Sequence, residues 1–126
     1  MSIQITRRDE ADGTALITLA PDPSGRAFEV DLLASEDVET ALKAAVSEGK
    51  ARIVMDLAQV GYMHSRAFWA IVRAAEECNR RGGGLVVARL SPYLARLVEL
   101  TSAAEAVHAR PDVAAALALL RGNEAR

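Results

Sequence analysis

A chain of 126 residues, 51% hydrophobic and 25% charged, has the length and composition of one globular domain. Its formal net charge of -2 at pH 7 gives no general electrostatic reason to bind nucleic acid or an anionic membrane. A single cysteine excludes an internal disulfide, and the two histidines, far apart in the chain, form no zinc-binding pattern.

The hydropathy pattern excludes a membrane span, because no apolar stretch approaches the roughly 18 residues that a transmembrane helix requires. The first six residues also lack the basic and apolar regions of a signal peptide. We therefore expect a cytoplasmic protein with no membrane insertion, no metal and no cofactor. One domain is expected over residues 1–121, followed by a frayed tail over residues 122–126.

Alternating apolar and polar residues predict strands near the N-terminus. The alternation covers residues 3–5 and again residues 15–19, which is typical of strands with one solvated face. Residues 22–25, Asp-Pro-Ser-Gly, predict a turn, and residues 28–32 predict a further short strand.

The apolar period changes to that of a helix after Ser35. Ser35 is the expected N-cap, Glu36 lies in the first turn, and Gly49 follows the end. The apolar positions of this helix are Val38, Leu42, Ala45 and Val46.

Two nearly continuous apolar runs, residues 53–57 and 85–88, predict strands covered on both faces of a sheet. A helix beginning after Ser65 separates them, another begins at Ser91 and Pro92, and a last one runs from about Pro111 to Leu120. Strands separated by single helices predict an α/β domain, in which about four helices pack on one mixed β-sheet.

The central helix has a well-defined polar face. Its apolar stripe consists of Phe68, Ile71, Val72, Ala75 and Cys78. Helical geometry places Trp69 on the other side, with Arg66, Arg73, Glu76 and Arg80. An outward tryptophan among arginines is typical of a protein-interaction surface. The alternatives are a surface aromatic without a partner and a cation–π pair between Trp69 and Arg73.

Ser65 stands at the predicted start of this helix, where its hydroxyl would act as the N-cap. Phosphorylation there would add nearly two negative charges at the positive end of the helix and change a binding surface without changing the fold. The alternative is a serine that only caps the helix.

The order of these segments resembles the STAS domain family. The matching pieces are residues 53–57, Val60, residues 62–65, the helix after them, Arg81-Gly82-Gly83, the Leu-Val-Val strand, Ser91-Pro92 and residues 97–101. The best-known members are bacterial anti-sigma factor antagonists. In them, the first serine of an Asp-Ser-Ser-Gly-type motif is phosphorylated by a partner anti-sigma factor that is a kinase.

This resemblance implies that Ser65 is the phosphorylated serine. His64 stands in place of the motif aspartate, Arg66 in place of the second serine and Ala67 in place of the glycine. We expect His64, Ser65, Arg66, Trp69 and Arg73, called the docking surface below, to bind an anti-sigma factor of the serine-kinase type. Phosphorylation at Ser65 would break that complex. The protein itself would be a monomer or a weak dimer.

Two other functions are compatible with the sequence. One is a constitutive STAS-like subunit of a larger assembly, such as a lipid-transport ATPase complex, in which Ser65 only caps its helix. The other is a small-ligand binder that uses the carboxyl ends of the strands. Enzyme activity is not expected, since no Ser/His/Asp spacing predicts a hydrolase, Gly82-Gly83-Gly84 predicts a turn, and Asp56 has no neighbouring acids.

Overall fold

The computed structural model describes residues 4–20 and 28–122. Its strands are β1 (Gln4–Asp9), β2 (Ala15–Ala20), β3 (Phe28–Val30), β4 (Arg52–Asp56), β5 (Val60–Met63), β6 (Gly84–Ala88) and β7 (His108–Arg110). Its α-helices are α1 (Leu32–Ser47), α2 (Ser65–Arg80), α3 (Pro92–Leu100) and α4 (Val113–Leu120), and a 3-10 turn covers Ser102–Glu105. The position of Ile3, the turn expected at 22–25 and the tail beyond Gly122 lie outside the described residues.

Five strands form the main sheet in the order β1-β2-β4-β6-β7. The β1–β2 pair is antiparallel, whereas the pairs β2–β4, β4–β6 and β6–β7 are parallel. A second, two-stranded parallel sheet consists of β3 and β5. The predicted class, an α/β domain with a mixed sheet and four helices packed on it, is confirmed.

The central strands β4 and β6 are largely apolar because both faces of the sheet are covered. In β4, Ile53 and Met55 point into the main core, which is shared with α1, α2 and α3, while Val54 packs on the opposite face against α4. Leu85 and Val86 divide between the two faces of β6 in the same way. The main sheet therefore supports α2 rigidly from one side.

The first helix begins earlier than the sequence predicted. Its N-cap is Asp31, whose side-chain oxygen accepts a hydrogen bond from the Ala34 N–H at 2.8 Å. Ser35 lies one turn inside, fully buried, and its hydroxyl donates to the Asp31 carbonyl at 2.7 Å. The expected N-cap at Ser35 was therefore wrong, and the strand expected over 28–32 ends at Val30 because Asp31 already starts the helix.

The sequence prediction also lacked β5 and β7. Both are short, four and three residues; Gly61 interrupts the apolar residues of β5, and β7 has a single apolar residue. The last helix begins at Val113, capped by the carboxylate of Asp112, rather than at about Pro111. The predicted start of α3 is confirmed: Ser91 is the N-cap and accepts from the Leu94 N–H, and Pro92 is in the first helical position.

Candidate interaction site at the start of the central helix

Pairing of β3 with β5 brings the starts of α1 and α2 together. The two strands are parallel, Val30 lies opposite Met63, and the His64 N–H donates to the Val30 carbonyl at 2.7 Å. Each strand passes directly into its helix, α1 beginning at Leu32 and α2 at Ser65. The two helix starts therefore lie side by side, and the helices pack against each other.

His64 is the N-cap of α2. Its backbone is extended, with φ -59° and ψ 143°, and its Nδ1 accepts a hydrogen bond from the Arg66 N–H at 3.1 Å. The His64 carbonyl accepts from the N–H groups of Ala67 and Phe68. Only an unprotonated Nδ1 can accept such a bond, so the cap requires the neutral ring nitrogen. The expected N-cap at Ser65 was wrong, because the extended residue lies one position earlier.

Ser65 is the first residue of the helix and is exposed. Its hydroxyl is not needed to close the first turn, since His64 supplies the capping acceptor. Ala67, two residues on, is fully buried and faces the core. The site thus presents the accessible hydroxyl of Ser65 at a helix start whose buried side packs on the core.

Arg66 forms ion pairs with two carboxylates of α1. Its Nε lies 3.3 Å from Glu39 Oε2, and its Nη1 lies 3.4 Å from Glu36 Oε1. The hydrogen bond to Glu39, followed by its charge, raises the pKa of the Arg66 guanidinium above its ordinary value. The sequence could not indicate these pairs, since 27 and 30 residues separate the partners.

Glu39 binds cations from both helices. Its side chain is 17% exposed, and it contacts Arg66, Lys43 at 3.3 Å and Arg73 at 3.9 Å. The hydrogen bond from Arg66, and then that from Lys43, lowers the pKa of the Glu39 carboxyl. Arg66 and Arg73, which the sequence assigned to the docking surface, are therefore held by the same carboxylate.

Trp69 lies on the exposed face of α2, 39% exposed, as the helical period predicted. Its ring packs edge-on against Phe68, with the centroids 5.2 Å apart and an angle of 84° between the planes. An open groove runs from Trp69 and Arg73 along α2 and is closed on its far side by Ser102 and Glu105 of the 3-10 turn. Arg73 also forms an ion pair with Glu39 of α1.

The structure adds exposed apolar side chains that the sequence analysis did not assign to a site. Leu32 and Leu33, at the start of α1, are 50% and 74% exposed. Tyr62 of β5 is exposed, and its ring lies 5.4 Å from that of Tyr93, the second residue of α3. Both leucines lie outside the apolar stripe of α1, and a correct helix start would have revealed this from the helical period.

Asp56 has a structural role at the carboxyl end of β4. It is 93% buried, since 7% of its surface is accessible, and it accepts two hydrogen bonds from Arg89 and one from the Ala58 N–H. No cluster of ligands that could hold a metal ion exists within residues 4–20 and 28–122. The apolar cavity of about 20 Å³ beneath α3, lined by Leu57, Phe68 and Leu94 among others, has room for roughly one water molecule.

None of the helices in the described part of the chain is long and apolar enough to cross a membrane. The family model described as "STAS domain" matches residues 27–116. A curated relative is BtrV of Bordetella bronchiseptica, whose name describes it provisionally as an anti-sigma factor antagonist, and it is 28% identical over 67 residues. That match covers 53% of this chain and 58% of the relative's length.

Solved structures of similar fold include two anti-sigma factor antagonists. One, from Mycobacterium paratuberculosis, is 22% identical, with a TM-score of 0.78 and 95% of each chain covered. The other, SpoIIAA in its unphosphorylated form, is 15% identical, with a TM-score of 0.71 and coverage of 94% of this chain and 99% of SpoIIAA. The Bacillus SpoIIAA is also solved in its phosphorylated form, with a TM-score of 0.69, 14% identity and coverage of 92% and 99%.

A transporter contains the same fold. The murine anion transporter Slc26a9 aligns with 97% of this chain over 22% of its own length, at 12% identity and a TM-score of 0.60. At these identities the likeness to solved structures establishes the fold alone.

Proposed function

The chain belongs to the STAS domain family, and we propose that it acts as an anti-sigma factor antagonist that docks on an anti-sigma factor of the serine-kinase type and is released by phosphorylation of Ser65. The observation that carries this proposal is that Ser65, the first residue of α2, is exposed. Its hydroxyl does not cap the helix, because His64 does. SpoIIAA, which shares the fold, exists in unphosphorylated and phosphorylated forms.

The proposed modification is a phosphoryl transfer from a nucleoside triphosphate held by the partner. The Ser65 oxygen forms a bond to the γ-phosphorus, the bond from that phosphorus to the diphosphate leaving group breaks, and the hydroxyl proton passes to a base of the partner kinase. In this reaction the chain supplies the acceptor oxygen and its orientation. The products are phosphorylated antagonist and nucleoside diphosphate.

The unmodified docking surface combines one large apolar side chain with basic groups. Trp69 offers an exposed ring that is already fixed against Phe68, so little side-chain entropy is lost when a partner covers it. Arg66 and Arg73 flank it on the same helix face, and acidic groups of a partner would compete with Glu39 for them. A phosphate at Ser65 places nearly two negative charges at the edge of this surface and weakens the fit.

The proposal is tested by measuring the affinity of the purified antagonist for its anti-sigma factor with substitutions on the docking surface. Ser65→Asp and Trp69→Ala are each expected to weaken binding at least about tenfold. The matched controls are Ser65→Asn, which has the shape of Ser65→Asp without the charge, and Tyr93→Ala, which removes an exposed aromatic ring from α3. Unchanged affinity for both Ser65→Asp and Trp69→Ala would refute the proposal.

A second candidate is a constitutive STAS subunit of a larger assembly, such as a lipid-transport ATPase complex. The occurrence of the fold within the transporter Slc26a9 favours it. In that case Ser65→Asp would leave assembly unchanged, and the protein isolated from its own cells would carry no phosphate at Ser65. Intact-mass measurement of the isolated protein therefore separates the two candidates.

A further inference from the structure

We propose that Arg66 responds to phosphorylation: it is held by Glu36 and Glu39 of α1 while Ser65 is unmodified, and it moves to the phosphate when Ser65 is phosphorylated. The inference rests on the proposed function and concerns the regulation of the same site. It assigns a role to α1, whose carboxylates lie next to the docking surface.

The ion pairs that hold Arg66 are suited to exchange. Both lie at the long end of the hydrogen-bond range, 3.3 Å to Glu39 and 3.4 Å to Glu36, and the Arg66 side chain is 42% exposed. The pair with Glu36 is exposed at both ends and contributes little to stability. The cost of the departure of Arg66 is therefore set by Glu39, whose side chain is 17% exposed.

Glu39 keeps other partners when Arg66 leaves. Lys43 lies 3.3 Å from Oε1 and Arg73 lies 3.9 Å from Oε2, so the partly buried carboxylate retains two cations. Without them, the loss of Arg66 would leave a mostly buried charge uncompensated. Glu36, by contrast, is 57% exposed and can remain in water.

A phosphate on Ser65 competes well for Arg66. It carries nearly two charges and three acceptor oxygens, and a guanidinium can bind two of them at once, which a single carboxylate oxygen at 3.3 Å does not match. Ser65 and Arg66 are consecutive, and the Arg66 backbone N–H is already occupied by His64. The flexible side chain of Arg66 is therefore the group that can respond.

The exchange spreads the charge change that a partner encounters over both helices, without altering its total. Before phosphorylation, the exposed Glu36 lies beside the positive Arg66. Afterwards, Arg66 is engaged by the phosphate, and Glu36, in the second turn of α1, presents its charge on the neighbouring helix. A partner in contact with both helix starts would meet added negative charge on two elements.

The exchange can be tested without the partner, on full-length protein with phosphoserine incorporated at position 65 during translation. The first readout is the Arg66 Nε–H signal in NMR spectra. In unmodified protein, Glu39→Gln should shift this signal, since it removes the charge that faces Nε; in phosphorylated protein, the same substitution should leave it unmoved. An equal shift in both forms would mean that Arg66 stays on Glu39, and would overturn the proposal.

The second readout is the second ionisation of the phosphate, measured by phosphorus NMR. Arg66→Gln should raise this pKa by roughly half a unit from a usual value near 6, because the dianion loses its guanidinium. Arg73→Gln, the matched control, removes the same charge two turns further along α2 and should leave it nearly unchanged. No effect of Arg66→Gln, or equal effects of both substitutions, would contradict a specific exchange.

These results are separable from the proposed function. If Arg66 binds the phosphate but Ser65→Asp and phosphoserine leave partner affinity unchanged, the proposed function fails while the exchange stands. If the partner is released but Glu39→Gln shifts the Arg66 Nε–H signal equally in both forms, the exchange fails while the proposed function stands.

Discussion

The imidazole of His64 accepts a hydrogen bond from the Arg66 N–H at 3.1 Å, so a histidine caps the central helix and the following serine remains exposed. This relationship explains how the site can lack the aspartate of the family motif and still start a regular helix. The capping acceptor is a ring nitrogen instead of a carboxylate oxygen. His64 therefore supplies the cap, and Ser65 is left for the modification that we propose.

His64→Ala should destabilise the protein by about 0.5–1 kcal/mol, because the Arg66 N–H loses its acceptor. His64→Asp should be at least as stable as the natural protein, since a carboxylate is a strong N-cap and also interacts favourably with the helix dipole. Urea denaturation monitored by circular dichroism measures both effects.

The matched control is Ser65→Ala, which should change the stability by less than about 0.5 kcal/mol because the serine is exposed and does not cap. If Ser65→Ala proved more damaging than His64→Ala, the assignment of the cap to His64 would be wrong.

Arg89→Ala should cost about 1–2 kcal/mol, because the buried carboxylate of Asp56 loses two hydrogen bonds from the guanidinium. Arg89 also has a left-handed backbone, with φ +60°, which glycine adopts without strain. Arg89→Gly should therefore be about 1 kcal/mol more stable than Arg89→Ala, although both lose the same side chain. Equal stabilities in thermal unfolding would show that the backbone at Arg89 is unstrained.

Gly83→Ala should be strongly destabilising, by about 2–3 kcal/mol, because the added methyl group would overlap the backbone carbonyl of Ala51. That carbonyl also accepts from the Gly84 N–H at 2.9 Å, so it cannot move freely. Gly82→Ala is the control: its φ of +86° costs about 1 kcal/mol for alanine, but open space surrounds the site. Chemical denaturation should rank Gly83→Ala as the less stable variant, and the reverse order would contradict the close approach of the two backbones.

Acidification should destabilise the protein in part through Glu39. Its pKa is lowered in the folded state, first by Arg66 and then by Lys43, from an ordinary value of 4.5. The contribution of Glu39 to the free energy of unfolding is therefore complete above its unfolded-state pKa. It is lost as the pH falls through the lower pKa of the folded protein. Glu39→Gln should flatten the dependence of the unfolding midpoint on pH below 4.5, whereas Glu99→Gln, at an exposed position on α3, should preserve it. Identical slopes for both variants would mean that the ion pairs of Glu39 do not stabilise the fold.

The fold could be predicted because its strongest signals are local. The buried strands β4 and β6 are nearly continuous apolar runs, and the stripe on α2 repeats at the helical period, which also placed Trp69 outside. The short strand β5 gave no such signal, because it has four residues and Gly61 interrupts them. It was therefore missed, although it aligns the helix starts.

The chemistry of the site was less predictable. The cap was predicted at Ser65 instead of His64, because histidine is not among the residues that usually cap a helix. The ion pairs of Glu39 with Arg66 and Arg73 depend on the packing of α1 against α2, which no local pattern in the sequence reveals. The residue types of the docking surface could be proposed from the sequence, whereas their charge partners required the structure.

The most direct test of the central claim compares two forms of the protein as bait in extracts of its own cells: one unmodified and one with phosphoserine incorporated at position 65. The account predicts that the unmodified form retains an anti-sigma factor that transfers phosphate from a nucleoside triphosphate to Ser65, and that the phosphoserine form does not retain it. Equal recovery of the same partner by both forms, or a partner that never modifies Ser65, would contradict the account.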